Sequence, residues 1–328
     1  MAEKTAALKN VQTIPPKTAS HKKIKREWIF GDFKQNWQLY VMMVIPMAFI
    51  LVFAYYPMYG AQIAFRDFIA TEGIWGSPWV GLKHFDRFIH TYQFWLLLKN
   101  TLAISVYSLL AELPVPILLA LGLNYVKNQH FKKTVQMVTY LPHFISVVVM
   151  VGMITQVFNN QTGVVNNLIQ LLTGEKVNFL GDPKYFRSLY VWTGVWQGAG
   201  WSSILYISAL SGVDPQLHEA AIMDGASLVK RIWHIDLPCI LPTIMITLIM
   251  NCGRILSVSF NKIFLMQNPT NLEVSEVIST YVYKTGIAAP LANYSYPTAI
   301  GLFTSVISFL LVFTVNKISK KLTATGLW

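Results

Sequence analysis

Charge is scarce in this chain. Only 12% of its 328 residues are Asp, Glu, Lys or Arg, against about 25% in a typical soluble domain, and 54% are apolar. That shortage excludes a water-wrapped fold and points to a chain that crosses a membrane repeatedly. No G-x-x-x-x-G-K-[ST] exists to cradle a phosphate. A serine nucleophile elbow, an HExxH and paired carboxylates on a polar face are missing too, so the chain is not read as an enzyme and no catalytic residue is expected. The only two cysteines, Cys239 and Cys252, lie in or beside one apolar run without a second Cys or His pair at metal spacing. They read as small buried hydrophobes, and no metal or cofactor is expected. More than thirty polar residues precede the first apolar run, so a cleavable leader is not expected and the first span should be retained. One sign of charge dominates, 26 basic residues to 15 acidic for a net +11. The basic residues sit beside apolar runs rather than on a polar domain, which argues for topology signals and lipid headgroup contacts and against nucleic acid.

What the chain has is long apolar runs. Nearly charge-free stretches occur near 38–59, 101–125, 135–157, 188–211, 239–265 and 294–315. Each supplies the roughly 20 helical residues that a 30 Å hydrocarbon core demands. Backbone groups in lipid must be satisfied internally and no dyad alternation is present, so helices are expected rather than a β-barrel. The predicted fold class is therefore an all-α membrane protein of six transmembrane helices. With both termini in the cytoplasm, sixteen of the 26 basic residues fall inside, among them Lys127, Lys132, Lys133, Lys230, Arg231, Lys317, Lys320 and Lys321. Residues 1–37 form a basic tail, with Lys22, Lys23, Lys25 and Arg26 interleaved with Trp28, Ile29, Phe30 and Phe33. They read as an interfacial elbow on the inner leaflet or, in the first half, as a disordered tail. The membrane domain spans 38–315, and a short tail follows over 316–328. Between spans, 60–100 is aromatic-rich, and 159–187 reads as loop with a short helix at 164–172.

The most ordered polar segment lies at 213–238. Asp214-Pro215 is a good helix start, since Asp accepts from free N–H groups and Pro at the first helical position loses no bond. A helix of about two turns is expected through Asp224, with Gly225 supplying the left-handed stop. Glu219-Ala220-Ala221, Gly225, Ile235, Leu237 and Pro238 follow the spacing EAA, three residues, G, nine residues, I-x-LP. This resembles at every defining position the EAA loop of ABC importer permeases, which implies the type I importer permease fold and places the segment in the cytoplasm. By that resemblance Glu219, Ala220, Ala221, Asp224, Gly225, Ile235, Leu237 and Pro238 couple the chain to a separate nucleotide-binding subunit. The implied partners are two copies of that ATPase, which bind ATP and Mg, a second homologous permease, and an extracytoplasmic binding protein in the cell membrane of a prokaryote.

Further segments narrow the resemblance. Asn261-Lys262-Ile263-Phe264-Leu265, Asn268-Pro269, 277–283, 294–302 and Asn316-Lys317-Ile318-Ser319 resemble the LplB-like branch of maltose-type sugar permeases, over most of 35–328. This implies import of an oligosaccharide or glycan fragment; a non-sugar solute is the alternative, and a channel or secondary transporter a weaker one. At 262 the branch more often shows an acidic or amide residue, so the role of Lys262 stays open. In the fourth span, Trp192 and Trp196 share a face at i, i+4, suited either to a sugar ring or to an interfacial aromatic belt. Glu112 and Arg254 are ionisable groups at mid-membrane depth. They are expected either to pair with each other or to line the translocation cavity with Asn251 and Ser257. Leu113-Pro114-Val115-Pro116 is expected to break the second span.

Overall fold

The computed structural model describes residues 26–289, 293–323 and 326–327, with side chains from Asn36 onward except at 322. Lys22, Lys23 and Lys25 of the expected elbow lie outside the described residues. The chain divides into two compact units, Met1–Gly60 and Ala61–Trp328. The first contains α1 (Arg26–Ile50), interrupted by non-helical backbone at Asn36 (φ −116°, ψ 23°). That kink separates a short leading segment from the span, and every side chain from Asn36 to Tyr59 is exposed.

In the second unit, α2 (Phe94–Glu112) and α3 (Pro114–Tyr125) follow one another directly. The expected break at 113–116 is a local one, at Leu113, and the span runs on across it from Phe94 to Tyr125. Leu113 keeps helical angles (φ −83°, ψ −52°) and its N–H donates to Leu109 O at 3.2 Å. Pro114 opens α3, where a missing N–H removes little. The third run does break. α4 (Gln129–Tyr140) continues through a 3₁₀ turn at Leu141–Phe144 and meets α5 (Val147–Val157) at a bend of 103°. Ser146 causes the restart by capping α5, its Oγ accepting from Val149 N at 3.3 Å.

α6 (Val164–Thr173) is the short helix expected at 164–172. α7 (Pro183–Ser211) runs 29 residues from a cap in which Asp182 accepts from Lys184 N at 2.9 Å. It packs against α2, α3, α4 and the later α9, so it is the central helix of the unit. α8 (Pro215–Met223) lies in the polar loop, and α9 (Leu237–Cys252) returns to apolar sequence. The fifth run, expected as continuous over 239–265, is interrupted: residues 253–259 leave the helix before α10 (Phe260–Met266). α11 (Ile278–Gly286) precedes α12 (Ser295–Thr323), which continues eight residues past the expected end at 315.

Among the described residues four helices are long and apolar enough to cross a membrane: Asn36–Phe65, Phe94–Tyr125, Leu228–Cys252 and Ser295–Lys321. The bent α4–α5 pair makes a fifth if it counts as one span, and α7 is not in the set. The reason lies in its composition: Gln197, Ser202, Ser203 and several glycine, tryptophan and tyrosine residues lower its mean hydropathy. One side packs on four helices while Trp192, Trp196, Trp201 and Leu205 stay exposed on the other. The six crossings expected from sequence therefore become four or five by length and composition.

Four apolar clusters hold the second unit together, the smallest around Met150, Val151 and Ile154 of α5. One joins α2, α7 and α10 through Ile104, Val191, Val195 and Ile263, and a second joins α3, α7 and α9 through Leu121, Tyr206 and Ile240. Lipid is as apolar as these side chains, so their cohesion within the membrane rests on close dispersion contact rather than on water release. The third cluster ties the aromatic-rich connection to α12, Phe88 meeting Phe94, Tyr296 and Phe303 edge-on. In that connection Arg66 lies over the rings of Trp75 and Trp79 and donates to Ser77 O at 2.7 Å. The hydrogen bond from Lys83 Nζ, 2.7 Å, holds the nearby Asp67 carboxyl below the usual carboxylate range.

Candidate functional site

A polar cavity of about 610 Å³ opens between α2, α7 and the interrupted fifth span. Its lining carries Glu112, His143, Gln197, Asn251, Arg254 and Lys262, with serines from three of the surrounding segments. The break at 253–259 supplies Arg254, Ser257 and Ser259. Irregular backbone at membrane depth is tolerated where it lines a cavity rather than lipid, and here it does so. The bend between α4 and α5 contributes on the other side. Gln197 Nε2 donates to Ile145 O at 2.9 Å, satisfying a carbonyl freed by the bend, and the His143 ring stacks on Trp201 at 4.6 Å.

Three permanently or ordinarily charged side chains face this space. Lys262 is only 5% exposed; its Nζ donates to Tyr190 O at 2.6 Å and lies 4.5 Å over the Tyr190 ring. A Cβ placed on Gly194 would lie 2.9 Å from Glu112 Oε1 and 3.2 Å from Lys262 Nζ. The missing side chain of Gly194 therefore leaves the gap in which carboxylate and ammonium approach each other. The Arg254 side chain is exposed to the cavity and forms no hydrogen bond or ion pair among the described residues. Glu112 thus lies beside Lys262 rather than in an ion pair with Arg254, and the cavity keeps one guanidinium without a counter-ion.

The residues singled out from sequence separate into two groups. Glu112, Asn251 and Arg254 meet in the polar cavity, 610 Å³ in volume. Trp192 and Trp196 instead line a second, apolar space of about 480 Å³ with Met150, Ile154, Phe158 and Phe179. Trp192 Nε1 also donates to Tyr107 Oη at 3.0 Å. Sequence reasoning missed Gly194 entirely. Its position is visible only once α2 and α10 are packed on α7.

The 213–238 loop is a second polar region. Asp214 Oδ1 accepts from Gln216 N at 2.9 Å and Pro215 opens α8. Gly225 has φ +72°, the left-handed region, and lets Ala226 N reach back to Ala221 O at 2.8 Å. Ser227 caps the next turn, and Ile232–Asp236 winds as a single π turn into α9. No residue of α8 is buried, and Leu217, Ile222 and Met223 stand exposed beside Glu219, Ala220, Asp224 and Gly225. Ile235 and Leu237 are half-buried and Pro238 is exposed at the start of α9. Two further residues escaped the sequence reading: His218, on the inward side of α8, and the fully buried Asp236. The available signal was a carboxylate set directly before an apolar run.

A helical, membrane-embedded chain with an interrupted span around a polar cavity has the architecture of a translocation subunit. Residues 112–324 match the family of binding-protein-dependent transport system inner membrane components, and the chain belongs to that family. The polygalacturonan/rhamnogalacturonan transport system permease protein YteP of Bacillus subtilis (strain 168) is 43% identical, over 94% of this chain and 95% of its own length. Protein LplB of the same organism is 41% identical over 92% and 94%. In the crystal structure of a bacterial alginate ABC transporter in complex with alginate pentasaccharide-bound periplasmic protein, one chain is 39% identical. It matches with a TM-score of 0.83 over 91% of this chain and 99% of its own.

Proposed function

We propose that this chain is one permease half of an ATP-driven importer that carries acidic oligosaccharides delivered by an extracytoplasmic binding protein. The observation that carries the acidic assignment is the unneutralised Arg254 guanidinium in a cavity that also holds Lys262 and a single carboxylate, Glu112. A cation at membrane depth is costly without a partner, and a substrate carboxylate supplies one in the bidentate geometry that guanidinium favours. The relatives support the same class: YteP is named for polygalacturonan/rhamnogalacturonan, and the structural neighbour imports alginate, described as an acidic polysaccharide.

The remaining parts follow from the same reading. Counting α7 and the bent α4–α5 pair as crossings gives six spans and puts both termini on one side, and the bias of basic residues favours the cytoplasm for them and for α8. Its exposed Leu217, Ile222 and Met223 around Glu219, Ala220 and Ala221 offer an apolar face with an acidic rim to a nucleotide-binding subunit. Two such ATPase subunits bind ATP and Mg, and a second, homologous permease completes the cavity. Closure of the ATPases displaces α8 and changes access to the cavity. This chain supplies the route and the handle, and hydrolysis occurs elsewhere.

The test is uptake by the complete transporter of a uronic-acid oligosaccharide against a neutral one of equal length. Wild type should prefer the acidic sugar. Arg254→Met should lower its uptake about tenfold or more, as expected for a lost charge-assisted contact, without reducing the bound ATPase. Equal uptake of both sugars by wild type, or unchanged acidic uptake by the variant, would overturn the acidic reading.

A further inference from the structure

Asp236 has no accessible surface, and a buried carboxylate is tolerated only where neighbours compensate it. Its two oxygens face different elements. Oδ2 accepts from Tyr125 Oη at 2.5 Å, at the last residue of α3. Oδ1 lies 3.3 Å from His218 Nε2 of α8, in a geometry that leaves it without a hydrogen bond. The same cluster is closed by rings and a cation: Tyr125 and His218 meet edge-on at 6.3 Å, and the Arg231 guanidinium lies 5.6 Å from the Tyr125 ring. Asp236 itself ends the π turn that feeds α9. Single π turns inside helices occur frequently at functional positions.

The placement matters because α8 has almost nothing else holding it. None of its residues is buried, and His218 and Ala221 are the only ones that are even half-buried. The two elements that Asp236 touches run directly to the cavity. α3 continues α2, whose last residue is Glu112, and α9 ends at Cys252, just before the irregular segment with Arg254. Asp236 thus stands where α8 meets the ends of both elements.

We infer that Asp236 is a positioning residue for energy coupling, pinning α8 through His218 to the inner ends of α3 and α9 through Tyr125 and its own backbone. This rests on the reading of α8 as the ATPase contact. Displacement of α8 then moves both helices together, and without the pin α8 pivots on its flanking turns while the cavity stays still.

The experiment measures uptake and ATP hydrolysis together in proteoliposomes of the complete transporter with its binding protein, alongside the amount of ATPase bound. For Asp236→Asn the bound ATPase should be unchanged, while uptake per ATP falls about tenfold, within the range of ordinary coupling energies. Adding His218→Gln should make it no worse, since both changes cut one link. Unchanged uptake per ATP would overturn the inference, as would a parallel fall of uptake, hydrolysis and bound ATPase. Should Asp236→Asn not assemble, Tyr125→Phe decides on the same ratio, because it keeps the ring and removes only the hydroxyl. The underlying reading fails by a separate sign, namely undiminished ATPase binding when Gly225 is replaced by Trp.

Discussion

The cavity and the 213–238 loop are both polar islands beside apolar helices, yet they are built in opposite ways. The loop is assembled from neighbours in sequence: Asp214 caps a helix begun by Pro215, Gly225 ends it, and Ser227 starts the next turn. Its caps join residues a few positions apart, and most of its side chains are exposed. The cavity is assembled from residues far apart, with Glu112, Gly194 and Lys262 brought together by three different helices. Its polar groups face inward and its walls are packed. The loop therefore fails by losing its local shape, and the cavity fails by losing its fit.

That contrast can be broken experimentally at several points. The largest effect is expected at the loop's single left-handed position. Gly225→Trp forces a bulky side chain at φ +72°, which disfavours the native turn by about 1–2 kcal/mol and redirects the chain after it. Uptake should be abolished and co-purification of the ATPase lost, while thermal stability of the membrane domain stays near wild type. A variant that transports normally would show that the local shape does not matter.

The cavity should respond with the opposite pattern. Gly194→Ala places a methyl 2.9 Å from Glu112 Oε1 and 3.2 Å from Lys262 Nζ, so the carboxylate must shift and the ammonium give way slightly. Both contacts are with the ends of flexible side chains that can give way, so the cost falls at or below the lower end of the about 1–3 kcal/mol of core overpacking. A lower midpoint in thermal unfolding and weaker uptake are expected, with ATPase binding intact. Loss of ATPase binding instead would dissolve the distinction between the two regions.

The smallest effect is expected at the aromatic pair. Trp192 and Trp196 line the apolar space and not the polar cavity. Trp196→Leu should change uptake less than about twofold, as is usual for substitutions away from a site and its buried polar contacts. A tenfold loss would extend the route into that apolar space.

How much of this was legible beforehand follows the same division. The caps of α8, its glycine stop and the helix at 164–173 could be read directly, because each depends on residues within one or two turns. Glu112, Asn251 and Arg254 stood out as polar groups inside apolar runs, and the structure brings all three to one cavity. Where they point could not be read: Glu112 lies toward Lys262, which no periodicity indicates. The two helix breaks differ in size from what the sequence suggested. Pro114 and Pro116 looked disruptive but fall in the first turn of α3, where proline fits. The true interruption, at 253–259, carries no proline at all. α7 was read as a span, and it is one helix of 29 residues, but its glycine, serine and aromatic content keeps it below the hydropathy of the other crossings.

By itself, then, the sequence determined that this chain lies in a membrane and that it carries a capped, exposed loop with a defined spacing. Low charge and long apolar runs have one solvent in which they are stable, and capping bonds form between near neighbours wherever the helix sits. Only the tertiary structure decided which charges share a cavity, where the fifth span opens, and that Tyr125 and Asp236, 111 residues apart, meet beneath α8. Those outcomes depend on how helices distant in sequence pack side by side. A gap at Gly194 or a carboxylate between two helix ends exists only after that packing has occurred.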